Sequence, residues 1–342
     1  MKLYQFILLL CLYVYSPVIH GQTKIDSVQF FLDENILNVK LTTDLGNLLS
    51  RRIKDDTQKA VFTCKLPDST EVSEEISINL RGKMRRSICY VPPMKLHFNT
   101  PNSPSLSPLK DLKLVSSCKV NSVYDKYLLK EYLIYKMYNL FTDKSFRVRL
   151  CNVTYEDNKG KKKPLTHYAF FIEDVDAMAK RNKCKEWEYE SLNTEKTDRE
   201  QMTMVALFEF MIGNTDFSIP NNHNIKLIRP KKDSTAKPFV VPYDFDYAGL
   251  VNAEYAAPAE LLGIEKVTDR LYRGFPRTIP ELQAAIQIFN EKKDTLYELI
   301  KKFEILDNGY RKDMINYIDD FYTIINDKRM VQYTFIDNAR IQ

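Results

Sequence analysis

Glycine is scarce in this chain: nine in 342 residues. No glycine-rich phosphate-binding loop can be drawn from them, so any phosphate would have to be held by other groups. Long apolar runs are scarce too, and beyond the N-terminus none approaches the ~20 residues a membrane-spanning helix needs. The six cysteines stand at spacings that match no metal-binding pattern. Strong charge bias is missing: 50 basic against 45 acidic residues leaves +5, too weak to imply a nucleic-acid partner. The 21 tyrosines do not change this, because basic and aromatic residues do not interleave on one element. No internal repeat is present.

What is there begins with a leader. Lys2 precedes the apolar run Phe6 to Val14, Ser16 and Pro17 break it, and small Gly21 stands before Gln22. That pattern predicts a secretory signal peptide over residues 1–21, with an uncleaved anchor as the alternative. The mature product is then expected to be periplasmic, cell-surface or extracellular, with no membrane span after removal of the leader. Losing Lys2 takes the formal charge from +5 to +4. Cys64, Cys89, Cys118, Cys151 and Cys184 remain, and their odd number leaves at least one outside any intramolecular disulfide. Export permits disulfides; the spacing does not require them. Lys159, Lys161, Lys162 and Lys163 beside Gly160 and Pro164 read as a solvated hairpin tip. Asn152-Val153-Thr154 is a formal glycosylation triplet.

From Ile25 to about Val115 the pattern predicts strands, among them Val28–Leu32, Ile36–Thr42, Val61–Leu66, Ile76–Leu80 and Met94–Phe98. A helix capped by Asp125 follows, with Leu129, Leu133, Met137 and Phe141 on one stripe. Two strands, Arg147–Tyr155 and His167–Ile172, flank the Lys-rich turn. Thr197 and Glu200 predict a capping box opening a helix over Met202–Ile212, ended by Gly213. From Pro280 to Asp327 the chain is mostly helical.

The stretch 213–246 carries the chemistry. A polar loop, Gly213-Asn214-Thr215-Asp216, runs on through Asn221, Asn222, His223 and Asn224. A hairpin, Ile225–Ile228 and Phe239–Val241, then returns the chain to Asp244 and Asp246. Paired strands place their ends together, so Asp216, Asn224 and Asp244 are expected to converge. Two carboxylates and an amide make a hard oxygen site of the kind Mg²⁺ takes together with phosphate. Asn, Asp, Gly and Pro are also ordinary turn formers, so loop chemistry is the competing reading. His223, between two asparagines in a turn, reads either as a base or as a structural hydrogen-bonding group.

Gly213-Asn214-Thr215-Asp216, Asn222-His223-Asn224 and Pro242-Tyr243-Asp244-Phe245-Asp246 resemble the signature of the spore-coat-protein-H (CotH) kinase-like family of atypical secreted kinases. Upstream, Leu80-Arg81-Gly82 and the strand Pro93–Phe98 bearing Lys95 are similar to that family's Arg-Gly motif and Lys strand, as is Tyr168–Asp174 to its strand ending in Glu. The resemblance spans about residues 76–250. It implies an α+β, two-lobed atypical protein-kinase-like fold, with a β-rich N-lobe over 22–172 containing one helix (125–141). A mainly helical C-lobe over 173–342 would carry the loop 213–224 and the segment 242–246. It implies ATP as co-substrate, Mg²⁺ or Mn²⁺ as cofactor, and a secreted or surface protein, or a small hydroxyl compound, as acceptor.

By the same resemblance Asp216 would be the catalytic Asp, and Asn224, Asp244 and Asp246 would serve the metal. Lys95 would contact ATP phosphates, Glu131 would pair with Lys95, and Glu173 would line the hinge. On the residues alone, Lys95 and Glu131 read equally as solvated surface groups and Glu173 as a cap. Lys83-Met84-Arg85-Arg86 departs from the polar, Ser-containing segment expected after Arg-Gly. Val91 and Pro92 replace expected lysines. An inactive relative, or a surface binding or structural protein using the same cleft, is the alternative.

Overall fold

The computed structural model describes residues 26–50, 57–66, 69–82, 84–98, 100, 102, 105–119 and 122–340. The predicted leader lies outside them. Seven strands form the N-terminal architecture: Leu37–Thr43 (β1), Gln58–Lys65 (β2), Glu71–Leu80 (β3), Met94–His97 (β4), Asp111–Ser116 (β5), Val148–Asp157 (β6) and Leu165–Ile172 (β7). Their order is β1-β2-β3-β4-β5-β7-β6, and the ring is closed. All pairings are antiparallel except the closing one, where β6 runs parallel to β1 from Leu37 opposite Cys151 to Thr43 opposite Asp157.

That closure corrects the expectation of a two-lobed atypical protein-kinase-like fold. The β-rich region is a closed barrel without sheet edges, not a lobe built on an open sheet. Alternation along each strand sends one face inward, and Leu41, Phe62, Ile78, Leu96, Leu114 and Phe171 fill the interior.

Two local readings change as well. Val28–Leu32 belongs to a short helix, Ser27–Leu32 (α1), because the Asp26 carboxylate accepts from the backbone N–H of Val28 and Gln29 and starts a helical turn. Leu45–Ser50 (α2) and Met84–Ile88 (α3) are the other short helices of this region. The Cys89–Cys118 disulfide joins the residue just after α3 to the chain two residues past β5, while Cys64, Cys151 and Cys184 are buried thiols. The lysines at 159–163 are exposed at the β6–β7 hairpin tip.

Helix Asp125–Asn139 (α4) lies between the outside of the barrel and the C-terminal helices. Every residue from Leu128 to Tyr135 is buried, so it has no wet face. After Val175–Arg181 (α5) and Cys184–Glu186 (β8), Arg199–Ile212 (α6) forms the centre of the second core, buried at each position from Gln201 to Ile212. Its cap is Asp198, accepting from Gln201 N–H at 2.9 Å, and not Thr197. Gly213 ends it at φ 66°, where a Cβ would also run into the Tyr317 hydroxyl.

Ile225–Pro230 (β9) and Phe239–Pro242 (β10) pair as a hairpin and join β8 in a three-stranded sheet. Ile279–Lys301 (α7), Asn308–Asn326 (α8) and Lys328–Gln332 (α9) complete the helical part. Among the described residues no helix is long and apolar enough to cross a membrane.

Candidate functional site

The β9–β10 register builds the site. Ile225 stands opposite Pro242, so Asn224 and Tyr243 are the next pair out, joined by a Tyr243 N–H bond to the Asn224 carbonyl at 3.0 Å. Asp244 follows at once, held at φ 66° by donation of its N–H to the Tyr135 hydroxyl at 2.8 Å. A left-handed residue that is not glycine costs energy and persists only where its surroundings impose it.

Asp216 comes to the same place from the end of α6. Asn214 works as a bracket: its Nδ2 donates to Glu209 at 2.9 Å, and its Oδ1 accepts from Asp216 N–H at 3.0 Å. Asn224 Nδ2 then donates to the Asp216 carbonyl at 2.7 Å and to Oδ2 at 3.0 Å, while His223 Nε2 meets Oδ1 at 2.9 Å.

These groups share one cavity of about 430 Å³. Asp216, His223, Asn224, Asp244, Asp246 and Tyr247 form one wall. Arg81, Gly82, Arg85, Pro93 and Val115, all from the barrel side, form the other. The cleft thus sets three carboxylates against two guanidiniums.

Arg85 is the hub. Its Nη1 lies 3.3 Å from Glu131 and 3.7 Å from Asp246, and its Nη2 donates to the Ser116 carbonyl at 2.9 Å. Burial raises the Glu131 carboxyl well above the usual range despite the Arg85 charge. Burial, then repulsion from Asp244, lifts Asp246 to about 6, although Arg85 and the Tyr255 hydroxyl at 3.1 Å favour its anion. Glu131 therefore partners Arg85 and not Lys95.

Lys95 lies off the cavity, in an ion pair with Asp111 at 2.7 Å. Its register partner on β5, Lys113, is the lysine that sits over the Tyr243 ring, 4.2 Å from the centroid. Burial and then the neighbouring Arg81 charge push the Lys113 ammonium down to about 7. Among the described residues neither Lys113 nor Arg81 has an ion-pair partner. Glu173 is also elsewhere: it accepts from Arg147 N–H at 3.1 Å and pairs with Arg181 at 3.0 Å, tying β6, β7 and α5 together.

Sequence reasoning quoted Arg81 and Arg85 without giving them a role, and missed Lys113. The available clue was the Leu112-Lys113-Leu114 alternation, which turns the lysine outward between two barrel-filling leucines.

Whether the site suits a divalent cation turns on free oxygens. No hydrogen bond to the Asp244 carboxylate is found among the described residues, and Asn224 spends its nitrogen on Asp216, leaving Oδ1 open. Asp246 is occupied by Arg85 and Tyr255. Among the described residues no three His, Cys, Asp or Glu groups are gathered tightly enough to hold a metal by themselves. This donor set fits a cation that brings phosphate oxygens and water with it, as Mg²⁺ does. Beside the cavity a second one of about 380 Å³ is lined by Ile225, Lys226, Tyr243, Trp187 and Tyr189. Trp187 and Tyr189 stack with centroids 5.0 Å apart.

Glu209 beneath the loop gives a stability prediction. Burial lifts its carboxyl from the ordinary 4.5 to about 8, so the folded chain holds a proton that the unfolded chain has released. Stability must then fall as pH rises from about 4.5 to about 8, at up to about 1.4 kcal/mol per unit. Glu209→Gln keeps the acceptor for Asn214 and removes the proton. Its melting midpoint is expected to gain on the parent from pH 5 to pH 8; a constant gap would refute this account.

No family model matches this chain, and no curated protein matches it.

Proposed function

We propose that the chain is an Mg²⁺-ATP-dependent phosphotransferase whose acidic loop is of the CotH kinase-like kind, acting on hydroxyl groups of exported or surface proteins. One observation carries the reading: a single cavity opposes Asp216, Asn224 and Asp244 to Arg81 and Arg85, with the unpaired Lys113 in electrostatic reach of Arg81 and Asp244. Arg81 and Lys113, which have no counter-ion among the described residues, beside the open Asp244 carboxylate suit a metal-bound polyphosphate, which satisfies both at once.

Asn224 Oδ1 and Asp244 would hold the metal, whose contribution when bound is to neutralise phosphate charge. Arg81, Arg85 and Lys113 attract and orient the phosphates from the barrel side. The stacked Trp187–Tyr189 pair offers a flat face for the base. Asp216, fixed by Asn214 and Asn224, faces the incoming hydroxyl. The leader pattern and the Cys89–Cys118 bridge support export, since disulfides persist in oxidising compartments.

A second reading, nucleotide binding without transfer, is favoured by the hydrogen bonds that occupy both Asp216 carboxylate oxygens. Incubating the purified chain with radiolabelled ATP, Mg²⁺ and dephosphorylated casein separates the two. Labelled casein or ADP release supports transfer; a nucleotide-dependent melting shift with neither supports binding alone. An absence of all three sinks both readings.

Lys113 adds a pH signature. Phosphate favours the charged amine, so binding draws in a proton wherever free Lys113 is neutral, above about pH 7. ATP affinity is expected to fall from pH 7 to pH 9 by up to roughly tenfold per unit. Lys113→Met should bind more weakly at pH 7 and lose that slope. Calorimetry in buffers of different ionisation enthalpy checks the proton uptake, and zero uptake would remove Lys113 from the site.

A further inference from the structure

We propose that Arg273 is a positioning residue for phosphotransfer: from behind the cleft it clamps the loop that presents Asp216. The proposal deepens the phosphotransfer reading and rests on it.

The main chain around Asp216 offers three successive carbonyls, and side-chain donors hold all three. Arg273 Nη1 gives one hydrogen to the Thr215 carbonyl and the other to the Phe217 carbonyl, the latter at 2.8 Å. Between them the Asp216 carbonyl accepts from Asn224 Nδ2 at 2.7 Å. The Asp216 N–H goes to Asn214 Oδ1. Residues 214–217 belong to no helix or strand, so these side chains replace the ladder that would otherwise fix the backbone.

Arg273 does not touch the cleft itself: the cavity is lined without it. Its guanidinium stands over the Phe217 ring, 5.2 Å from the centroid. Burial, then the charge of Arg340, disfavours its cation, while Asp216 and Glu209 favour it through space. Burying a cation without a carboxylate in contact is costly. That sets Arg273 apart from its neighbours Arg270 and Arg277, which pair with Asp320 and Glu195.

The strap that carries it is fixed as well. Residues 270–278 form no regular element, yet Tyr272 packs on Phe210 of α6 and on Phe335. Gly274 lies so close to Ala206 and the Tyr272 ring that a Cβ would collide with both. Arg277 Nε donates to Thr203 Oγ1 at 2.9 Å, and Arg270 Nη2 to the Met211 carbonyl at 3.3 Å. Arg273 thus springs from backbone tied to α6, the helix that delivers the loop. A reacting geometry misplaced by about 1 Å loses on the order of a hundredfold in rate, which makes such a clamp worth testing by kinetics.

Arg273→Ala and Arg273→Lys test it with Mg²⁺-ATP and casein. The alanine variant is expected to lose about a hundredfold in kcat, while KM for ATP and the nucleotide-induced melting shift stay at parental values. Lysine carries hydrogens for both carbonyls, so Arg273→Lys should show the same split with a smaller loss, and it decides alone if the alanine variant does not fold. Added methylguanidine should restore part of the rate to Arg273→Ala and leave the parent unchanged. Hydrogen exchange gives a readout that needs no turnover: amides of residues 214–218 should exchange faster in either variant, with those of α6 unaltered. Parental kcat, or parental exchange at 214–218, would overturn the proposal. So would loss of the nucleotide shift together with the rate, which marks a merely structural arginine. A parent that transfers no phosphate is a different result: it removes the underlying reading, and the exchange rates still decide the clamp.

Discussion

Arg85→Ala is expected to lower folding stability by about 3–5 kcal/mol at neutral pH, the usual cost of stripping the partner from buried charge. Three groups depend on this side chain: Glu131 at 3.3 Å, Asp246 at 3.7 Å and the Ser116 carbonyl at 2.9 Å. Glu131 is 1% exposed and Asp246 5%, so water cannot replace the guanidinium without opening the core between α4 and the acidic segment. Without Arg85 both carboxyls must hold protons to stay buried, and each gains a still higher folded-state pKa. The sign follows. Below the ordinary carboxylate range both states are protonated and the deficit shrinks; above it the unfolded chain releases protons that the folded chain keeps. Chemical denaturation at pH 5 and pH 8 should therefore show the larger deficit at pH 8. Adding Glu131→Gln to Arg85→Ala should recover part of it. A deficit below ~1 kcal/mol at both pH values would mean that the buried triad is not coupled in this way.

Asp244→Asn should have the opposite profile, intact folding with transfer reduced by about a thousandfold, the upper range for losing one electrostatic contact to developing charge. Asparagine tolerates the left-handed region better than other side chains, so φ 66° and the N–H bond to Tyr135 survive. Only a carboxylate without a hydrogen-bond donor is lost. Stability should even rise slightly near pH 7. The Asp244 charge is one reason Asp246 is lifted to about 6, after burial. A group raised in the folded state loses stability as pH climbs from its ordinary 3.8 toward that value, and removing the repulsion shortens the climb. Melting midpoints and casein labelling, measured side by side, check both halves. Undiminished labelling would take Asp244 out of the chemistry.

The acidic wall was readable because its cues are local. Turn formers at 213–224 and two short apolar runs define a hairpin, and a hairpin's register follows from neighbouring residues. The barrel was not readable, because its closing pair joins β1 to β6, as with Thr42 and Glu156, 114 positions apart. No pattern inside either strand encodes that partner. The basic wall was misread for a related reason. Lys95 and Lys113 are register partners on the same face, and alternation gives the face without saying which strand borders the acidic loop. Arg85 lay in the segment that departs from the family pattern, where an altered sequence looked like loss and instead supplies the buried cation. Ser27–Leu32 shows the reverse error: an apolar run suggested a strand, and the single Asp26 carboxylate decides for helix.

The Cys89–Cys118 bridge has a consequence for how the cleft responds to reductant. It spans 29 positions and fastens the chain four residues beyond Arg85 to the segment two residues past the strand that carries Lys113. In a chain-entropy account a loop of that size adds about 3–4 kcal/mol of resistance to unravelling. Arg85, which lines the cleft, and Lys113, which stands beside it over the Tyr243 ring, are thus tied to each other by a bond that a reducing environment would cut. Loss of that bond is expected to loosen the basic wall while the hairpin-built acidic wall keeps its register, so the two sides of the cleft answer differently to a reductant.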